Sequence, residues 1–211
     1  MIDLDVEGGL ARITLNRPEK RNALTKAMLL GLREMALSLS VNDAVRAVVL
    51  TGEGPVFSAG ADLDEARAGL ATDPIWNAVS QAISDLPVLT IAALNGTAAG
   101  GALGMVLASD IIVASPEAKV FYPVMKLGFL PQSGDVARLV ERAGPAHASM
   151  ILLGGARLSA DEALALQVVD HVSDDPVRVS LELAADALSA DRSHGMAIKA
   201  MIRASRPSVA L

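Results

Sequence analysis

From Leu86 to Ser109 the chain carries no charged residue, and no other feature of the sequence limits its folding so tightly. An uncharged run of that length is either a membrane span or the middle of a buried core. Its interruptions decide between the two. Pro87, Asn95-Gly96 and Gly100-Gly101 break the run, Asp85 and Asp110 bracket it, and neither end has the Lys or Arg bias that orients a span. The run is predicted to be a buried strand over Val88–Leu94, a glycine turn, and a buried helix over Gly100–Ser109. The hydrophobic fraction of 52% rests on Ala, Leu, Val and Ile, with three Phe, one Tyr and one Trp, which suits a layered α/β interior.

The flanking sequence extends this pattern. Leu10–Leu15 alternates as a half-buried strand does, and Glu7-Gly8-Gly9 before it is a hairpin turn from a strand over Ile2–Val6. Thr25 can cap a helix that places Met28, Leu29, Leu32, Met35, Ala36 and Leu39 on one face. Val45–Leu50 is a buried strand. Asp73-Pro74 opens a helix running to Asp85, with proline at its first position. Ile111–Ala114 and Val168–Val172 are strands, Ser159-Ala160-Asp161-Glu162 is a capping box, and Pro176–Leu188 is a helix. The order is a repeated β, β, α without an evident linker. It predicts one core over residues 1–190 with a short C-terminal helical segment over 191–211.

Charge and cysteine content narrow the function. A net charge of −6 with no basic run disfavours nucleic acid. The chain has no cysteine, so there is no disulfide framework and no thiolate nucleophile. His147, His171 and His194 form no metal-ligand cluster in sequence. The N-terminus lacks the basic start and apolar core of a signal peptide, giving a cytoplasmic, membrane-free expectation.

Two glycine-rich turns each follow a predicted strand and lead towards a helix: Phe57-Ser58-Ala59-Gly60-Ala61-Asp62-Leu63 and Asn95-Gly96-Thr97-Ala98-Ala99-Gly100-Gly101. Each could aim backbone N–H groups at an oxygen that becomes negative. Each could also be only a tight turn that needs glycine. Their combination with Asn16-Arg17-Pro18-Glu19-Lys20-Arg21-Asn22-Ala23-Leu24, at the spacing seen here, resembles the crotonase (enoyl-CoA hydratase/isomerase) superfamily. Pro123, Lys126-Leu127-Gly128-Phe129-Leu130-Pro131 and the Ser-Ala-Asp-Glu-Ala-Leu segment from Ser159 add to the likeness, which runs from residue 2 to about 204.

The resemblance implies an α/β spiral of ββα units, assembled as homotrimers or hexamers, whose substrate is an acyl-CoA thioester. CoA then arrives as part of the substrate, with no separate cofactor and no metal. The family's two oxyanion-holding N–H groups match Ala61 and Gly101. Its CoA-contacting positions match Lys20, Arg21, Ala23, Ala59, Gly60, Asp62 and Leu63. Lys20 and Arg21 could equally be solvated loop charges.

Two departures weigh against ordinary hydratase chemistry. Where a hydratase of this family has glutamates, this chain has Gly104 and Val124, and neither side chain can titrate. A replacement base is sought at Asp135, in Pro131-Gln132-Ser133-Gly134-Asp135, where it could also be a helix-N-terminal carboxylate ahead of Val136–Arg142. Gln132 and Tyr122 are further candidates, and strand alternation would put Tyr122 on the face of Val124. Asp64 and Glu65 read as first-turn acids of a helix. Relatives of this fold usually continue for several tens of residues past the segment matching Ile198–Ala204, so a more open CoA site or altered assembly is expected. The leading expectation is a divergent acyl-CoA lyase or isomerase. The alternatives are a non-catalytic acyl-CoA binding or scaffold protein and a diketone-type carbon–carbon bond hydrolase, the latter needing a histidine with an aspartate.

Overall fold

The computed structural model describes residues 1–205. The final six positions of the expected 191–211 segment lie outside the described residues. Strands and helices alternate as β1 (Ile2–Glu7), β2 (Leu10–Leu15), α1 (Lys26–Ser40), β3 (Ala47–Gly52), β4 (Val56–Ser58), α2 (Leu63–Arg67), α3 (Ile75–Ser84), β5 (Leu89–Leu94), β6 (Thr97–Ala99), α4 (Ala102–Leu107), β7 (Ile111–Ala114), β8 (Lys119–Phe121), α5 (Val124–Leu127), α6 (Ser133–Leu152), β9 (Arg157–Ser159), α7 (Ala160–Ala165), β10 (His171–Val172), α8 (Pro176–Ser189) and α9 (Arg192–Ala204).

The strands sort into two sheets. One runs β1-β2-β3-β5-β7-β10, and the other β4-β6-β8-β9. Past the antiparallel β1–β2 hairpin, the large sheet is parallel throughout. Each ββα unit lays a long strand in the large sheet and a three-residue strand in the small one before its helix, so β3-β4, β5-β6 and β7-β8 are successive turns of a spiral. Asn95, at the corner between β5 and β6, ties two such turns together. Its side chain accepts from Gly52 N at 3.0 Å and donates to the Gly54 carbonyl at 2.6 Å.

Burial on both faces explains why the central strands lack alternation. Val48, Leu50, Ala92 and Leu94 join the main core with Leu29 and Leu32 of α1, Val79 and Ile83 of α3 and Leu103 of α4. Their neighbours Ala47, Val49, Ile91, Ala93 and Val113 pack with Ala184 of α8 on the other side. Strand β2, between β1 and β3, keeps its alternation, with Ala11, Ile13 and Leu15 buried. On α1, Thr25 caps the helix by accepting from Met28 N at 3.2 Å, and Met28, Leu29, Leu32, Ala36 and Leu39 are buried as the periodicity predicts.

Several boundaries differ from the sequence reading. The helix expected from Gly100 begins at Ala102, and the strand expected over Val168–Val172 shrinks to His171–Val172. The small sheet escapes the sequence pattern because three residues are too few to show alternation. The strand expected to carry Tyr122 and Val124 on one face ends at Phe121. Proline at 123 has no N–H for the ladder, and Val124 instead opens α5. Among the described residues no helix is long and apolar enough to cross a membrane, as expected for the uncharged run.

The C-terminal helix is fastened by charged side chains rather than apolar packing. Lys199 is buried and donates to the Val88 carbonyl and to Asp110 at 2.7 and 2.6 Å. Arg192 donates to the carbonyls of Val45 and Ser40, and Arg203 to that of Leu86.

The loop before α1 is organised by Asn22, buried and held at φ 52°. Its side chain accepts from Arg17 N at 2.8 Å and donates to the Glu53 and Val56 carbonyls at 2.9 and 2.7 Å. Replacing it with alanine strands all three backbone groups. Asn22→Ala should therefore lower unfolding free energy by about 2–4 kcal/mol, read by urea denaturation.

Candidate active site

The Asn22 loop is laced to the first glycine turn along its length. Ala59 N donates to the Arg21 carbonyl at 3.0 Å, Leu24 N to that of Gly60 at 2.8 Å, and Asp62 N to that of Leu24 at 2.9 Å. Ser58 Oγ adds a bond to the Asn22 carbonyl. In this parallel bridge Leu24 bonds to the residues on either side of Ala61. The Ala61 N–H therefore points away from the loop and, among the described residues, donates to no acceptor.

The second turn packs directly against the first. Gly60 adopts φ 94°, and a Cβ there would lie 2.9 Å from the Ala99 carbonyl oxygen and 3.5 Å from Gly100 Cα. Only glycine permits this approach. At the end of the second turn Gly101 precedes α4, and among the described residues its N–H also has no acceptor. Trp76 of α3 lies against it: a Cβ on Gly101 would come within 2.9 Å of the indole. The indole is itself fixed, donating to the Leu70 carbonyl at 2.7 Å.

Ala61 and Gly101 both line one cavity of about 400 Å³. Its wall is largely apolar, with Leu63, Ala66, Trp76, Val124, Leu127 and Phe129 among the lining residues. Arg67 and Tyr122 are the lining residues with titratable side chains. A larger recess of about 590 Å³ lies under α8 and α9, with Asp110 and His194 on its wall and none of the oxyanion, CoA-contacting or base candidates.

The remaining expected residues fall into three groups. Ala59, Ala61, Leu63 and Gly101 line the cavity, with Gly60 buried between Ala59 and Ala61. Lys20, Arg21 and Ala23 lie outside its lining, on the loop that runs beside Ala59, with both basic side chains exposed. Asp62 directs its carboxylate at Arg17, 2.8 Å away, and at the first N–H groups of α2. The Arg17 guanidinium, helped by those N–H groups, holds the Asp62 carboxyl below the ordinary range. Of the acids after the first turn, Asp64 pairs with Arg67, and Glu65 accepts from Lys26 N. None of the histidines lines the cavity, and among the described residues no group of His, Asp and Glu could hold a metal.

Asp135 is placed unlike any surface cap. It sits in the first turn of α6 yet is only 2% exposed, behind the cavity wall. Its Oδ2 accepts from the Tyr122 hydroxyl at 3.0 Å, and Arg138 Nη1 stands 3.9 Å from Oδ1. Burial pushes its carboxyl up to about 6, opposed by the Tyr122 hydrogen bond and by Arg138. Burial, and then the adjacent Asp135 charge, push the Tyr122 phenol upward as well.

The position of the Asp135 carboxylate explains Gly104. A Cβ on Gly104 would lie 2.6 Å from Asp135 Oδ1 and 2.5 Å from Ser80 Oγ. The carboxylate brought in by α6 thus fills the volume beside α4 that a side chain at 104 would need. Sequence could not reveal this pairing of residues thirty-one apart. It also missed Trp76, whose one signal is being the single tryptophan in the chain.

The comparisons with known proteins agree on the family. The enoyl-CoA hydratase/isomerase family matches residues 5–208. A Mycobacterium tuberculosis protein named probable enoyl-CoA hydratase EchA14 is 38% identical over 95% of this chain and 80% of its own length. The 1,2-epoxyphenylacetyl-CoA isomerase of Escherichia coli is 34% identical over 81% of this chain and 68% of its own. Among solved structures, DspI of Pseudomonas aeruginosa superposes with a TM-score of 0.90 at 33% identity, covering 98% of this chain and 88% of that one.

Two predictions follow from the Gly104–Asp135 contact. Gly104→Ala should destabilise the protein by about 1–3 kcal/mol in chemical denaturation, and adding both Asp135→Gly and Ser80→Gly, which clears the two side chains nearest the new Cβ, should make the Gly104→Ala step itself cost less. The second concerns pH. Because folding raises the Asp135 pKa from 3.8 to about 6, the native state favours the neutral acid. That contribution is complete below about 4 and lost as pH rises through 6. Asp135→Asn should therefore be more stable than the parent by about 2–3 kcal/mol at pH 7.5, with the difference shrinking towards pH 4.

Proposed function

The chain belongs to the enoyl-CoA hydratase/isomerase family, and from that premise we propose that it binds an acyl-CoA thioester and stabilises the enolate formed from it. The observation that carries this reading is the pair of N–H groups of Ala61 and Gly101. Among the described residues neither has an acceptor, both residues line one cavity, and the turns that bear them touch. Such a pair can hold a thioester oxygen as negative charge develops on it, and each donor of this kind is worth roughly 3 kcal/mol in a transition state. The rigid backing of the Gly101 turn by Trp76 favours the same role, because donors fixed in advance need no reorganisation during reaction.

The surroundings suit the two ends of such a molecule. The apolar lining suits an uncharged acyl group. The exposed Lys20 and Arg21, beside Ala59, suit the phosphates of CoA. The relatives' names supply the substrate class, since both a hydratase and an isomerase of CoA thioesters stand among them. Assembly as a trimer or hexamer, and turnover as a lyase or isomerase in fatty acid metabolism, belong to the same proposal.

Hydration of a simple 2-enoyl-CoA is disfavoured. Gly104 and Val124 offer no group to activate water, and general acid–base catalysis is worth roughly 10²- to 10⁴-fold. The diketone hydrolase reading lacks a histidine on the cavity wall.

A conjugated acyl-CoA whose absorbance reports polarisation of its carbonyl tests the reading directly. A cinnamoyl-CoA bearing a para-amino donor should bind and shift to longer wavelength, while CoA alone leaves the spectrum of an unrelated dye unchanged. Binding without a shift, or no binding, would overturn the proposal. Crotonyl-CoA hydration should run at least roughly 10²-fold below that of a relative with both glutamates.

A further inference from the structure

We propose that Tyr122 is the catalytic acid–base group of this site and that Asp135, set behind it, is the positioning residue that takes up and returns its proton. The inference rests on the acyl-CoA reading above and adds to it the group that moves the α-proton.

Three observations carry it. Tyr122 lines the cavity that the Ala61 and Gly101 N–H groups border, and the other titratable lining residue, Arg67, is a guanidinium that cannot accept a proton. Asp135 is 2% exposed and absent from the lining, so it reaches the cavity through the Tyr122 hydroxyl, which donates to its Oδ2 at 3.0 Å. The carboxylate is also held in a space kept clear for it by Gly104. A carboxylate buried at such cost directly behind the phenol is a suitable proton acceptor.

The step balances without any further reagent. The Cα–H bond of the bound thioester breaks, and its proton passes to Tyr122 Oη as the phenolic proton passes to Asp135 Oδ2. The electron pair moves onto the thioester oxygen between the Ala61 and Gly101 N–H groups. Returning the proton by the same route to the γ-carbon of a conjugated enolate shifts a double bond. Returning it to the α-carbon exchanges hydrogen with solvent. Because one relay serves both directions, the reaction class is a proton shift rather than addition of water.

The charge environment is simple. Among the described residues, Arg138 on its own helix faces Asp135 at 3.9 Å, and the Tyr122 phenol faces it at 3.0 Å. Ser80 of α3 and Gly104 of α4 border it without titrating. With its carboxyl pushed up to about 6, Asp135 is ionised at neutral pH yet basic enough to accept a proton.

The test is exchange of the α-protons of 3-hexenoyl-CoA with deuterium from D₂O, followed by mass spectrometry. The parent protein should exchange them, with a rate that rises with pH to a plateau above about 6. Tyr122→Phe keeps the ring and its packing, and should exchange roughly 10²-fold more slowly or worse while retaining the red shift of the cinnamoyl probe. Asp135→Asn should lose a similar factor, and its residual rate should lack the rise near pH 6. Thermal unfolding of each variant confirms that it is folded. Unchanged exchange in folded Tyr122→Phe would overturn the relay while leaving the acyl-CoA reading intact, and so would a parent protein that shifts the probe but exchanges nothing. Absence of the shift in the parent would instead overturn the reading on which the relay rests.

Discussion

Backbone meets backbone where Gly60 packs against Ala99 and Gly100, with no room for a side chain between them. Most of the candidate site depends on that contact. It sets the turn after β4 against the turn after β6, so that the N–H groups of Ala61 and Gly101 border the same cavity although forty residues separate them. Loops on either side hold it in place. The Asn22 loop bonds to the first turn at residues 59, 60 and 62, and Trp76 backs the second. These are close-range, geometrically strict contacts, and they form only because the two sheets stack successive ββα turns in register. The spiral therefore acts as a device for bringing local turns together that would have no chemistry apart.

Around that fixed backbone, side chains distant in sequence share one space. At the two positions where the resemblance implies hydratase acids this chain has Gly104 and Val124, and the space beside Gly104 contains a carboxylate delivered by α6. Burial keeps that carboxylate basic, and its hydrogen bond to Tyr122 connects it to the cavity. Glycine at 104 leaves the space that the Asp135 carboxylate and the Ser80 hydroxyl share. The same logic holds elsewhere in the molecule. Lys199 crosses from α9 to meet Asp110, at the end of the uncharged run, and so closes the fold with a buried ion pair where apolar packing is thin.

Much of the architecture was legible beforehand. The uncharged run had to be interior, and it became β5 at the centre of the large sheet, followed by β6 and α4. The Thr25 cap, the apolar face of α1 and the Ser159–Glu162 capping box all formed as their patterns require. These features rest on interactions within a few residues, which spacing alone encodes. The small sheet was not legible, since its three-residue strands carry no period. The continuation of a strand through Tyr122 to Val124 was misjudged because Pro123 ends it.

By itself, then, sequence determined the family, the α/β class and the two glycine turns, because each depends on local pattern or on a motif read along the chain. Whether those turns meet, whether Asp135 is a surface cap or a buried carboxylate, and which side chain faces the cavity were decided only by tertiary structure. The physical reason is that desolvation, a 3.0 Å hydrogen bond to Tyr122 and the space left by Gly104 arise between residues distant in sequence, and these set the chemical character of the acid. The glycine turns supplied the backbone of the cavity, and packing alone put a buried carboxylate behind its wall.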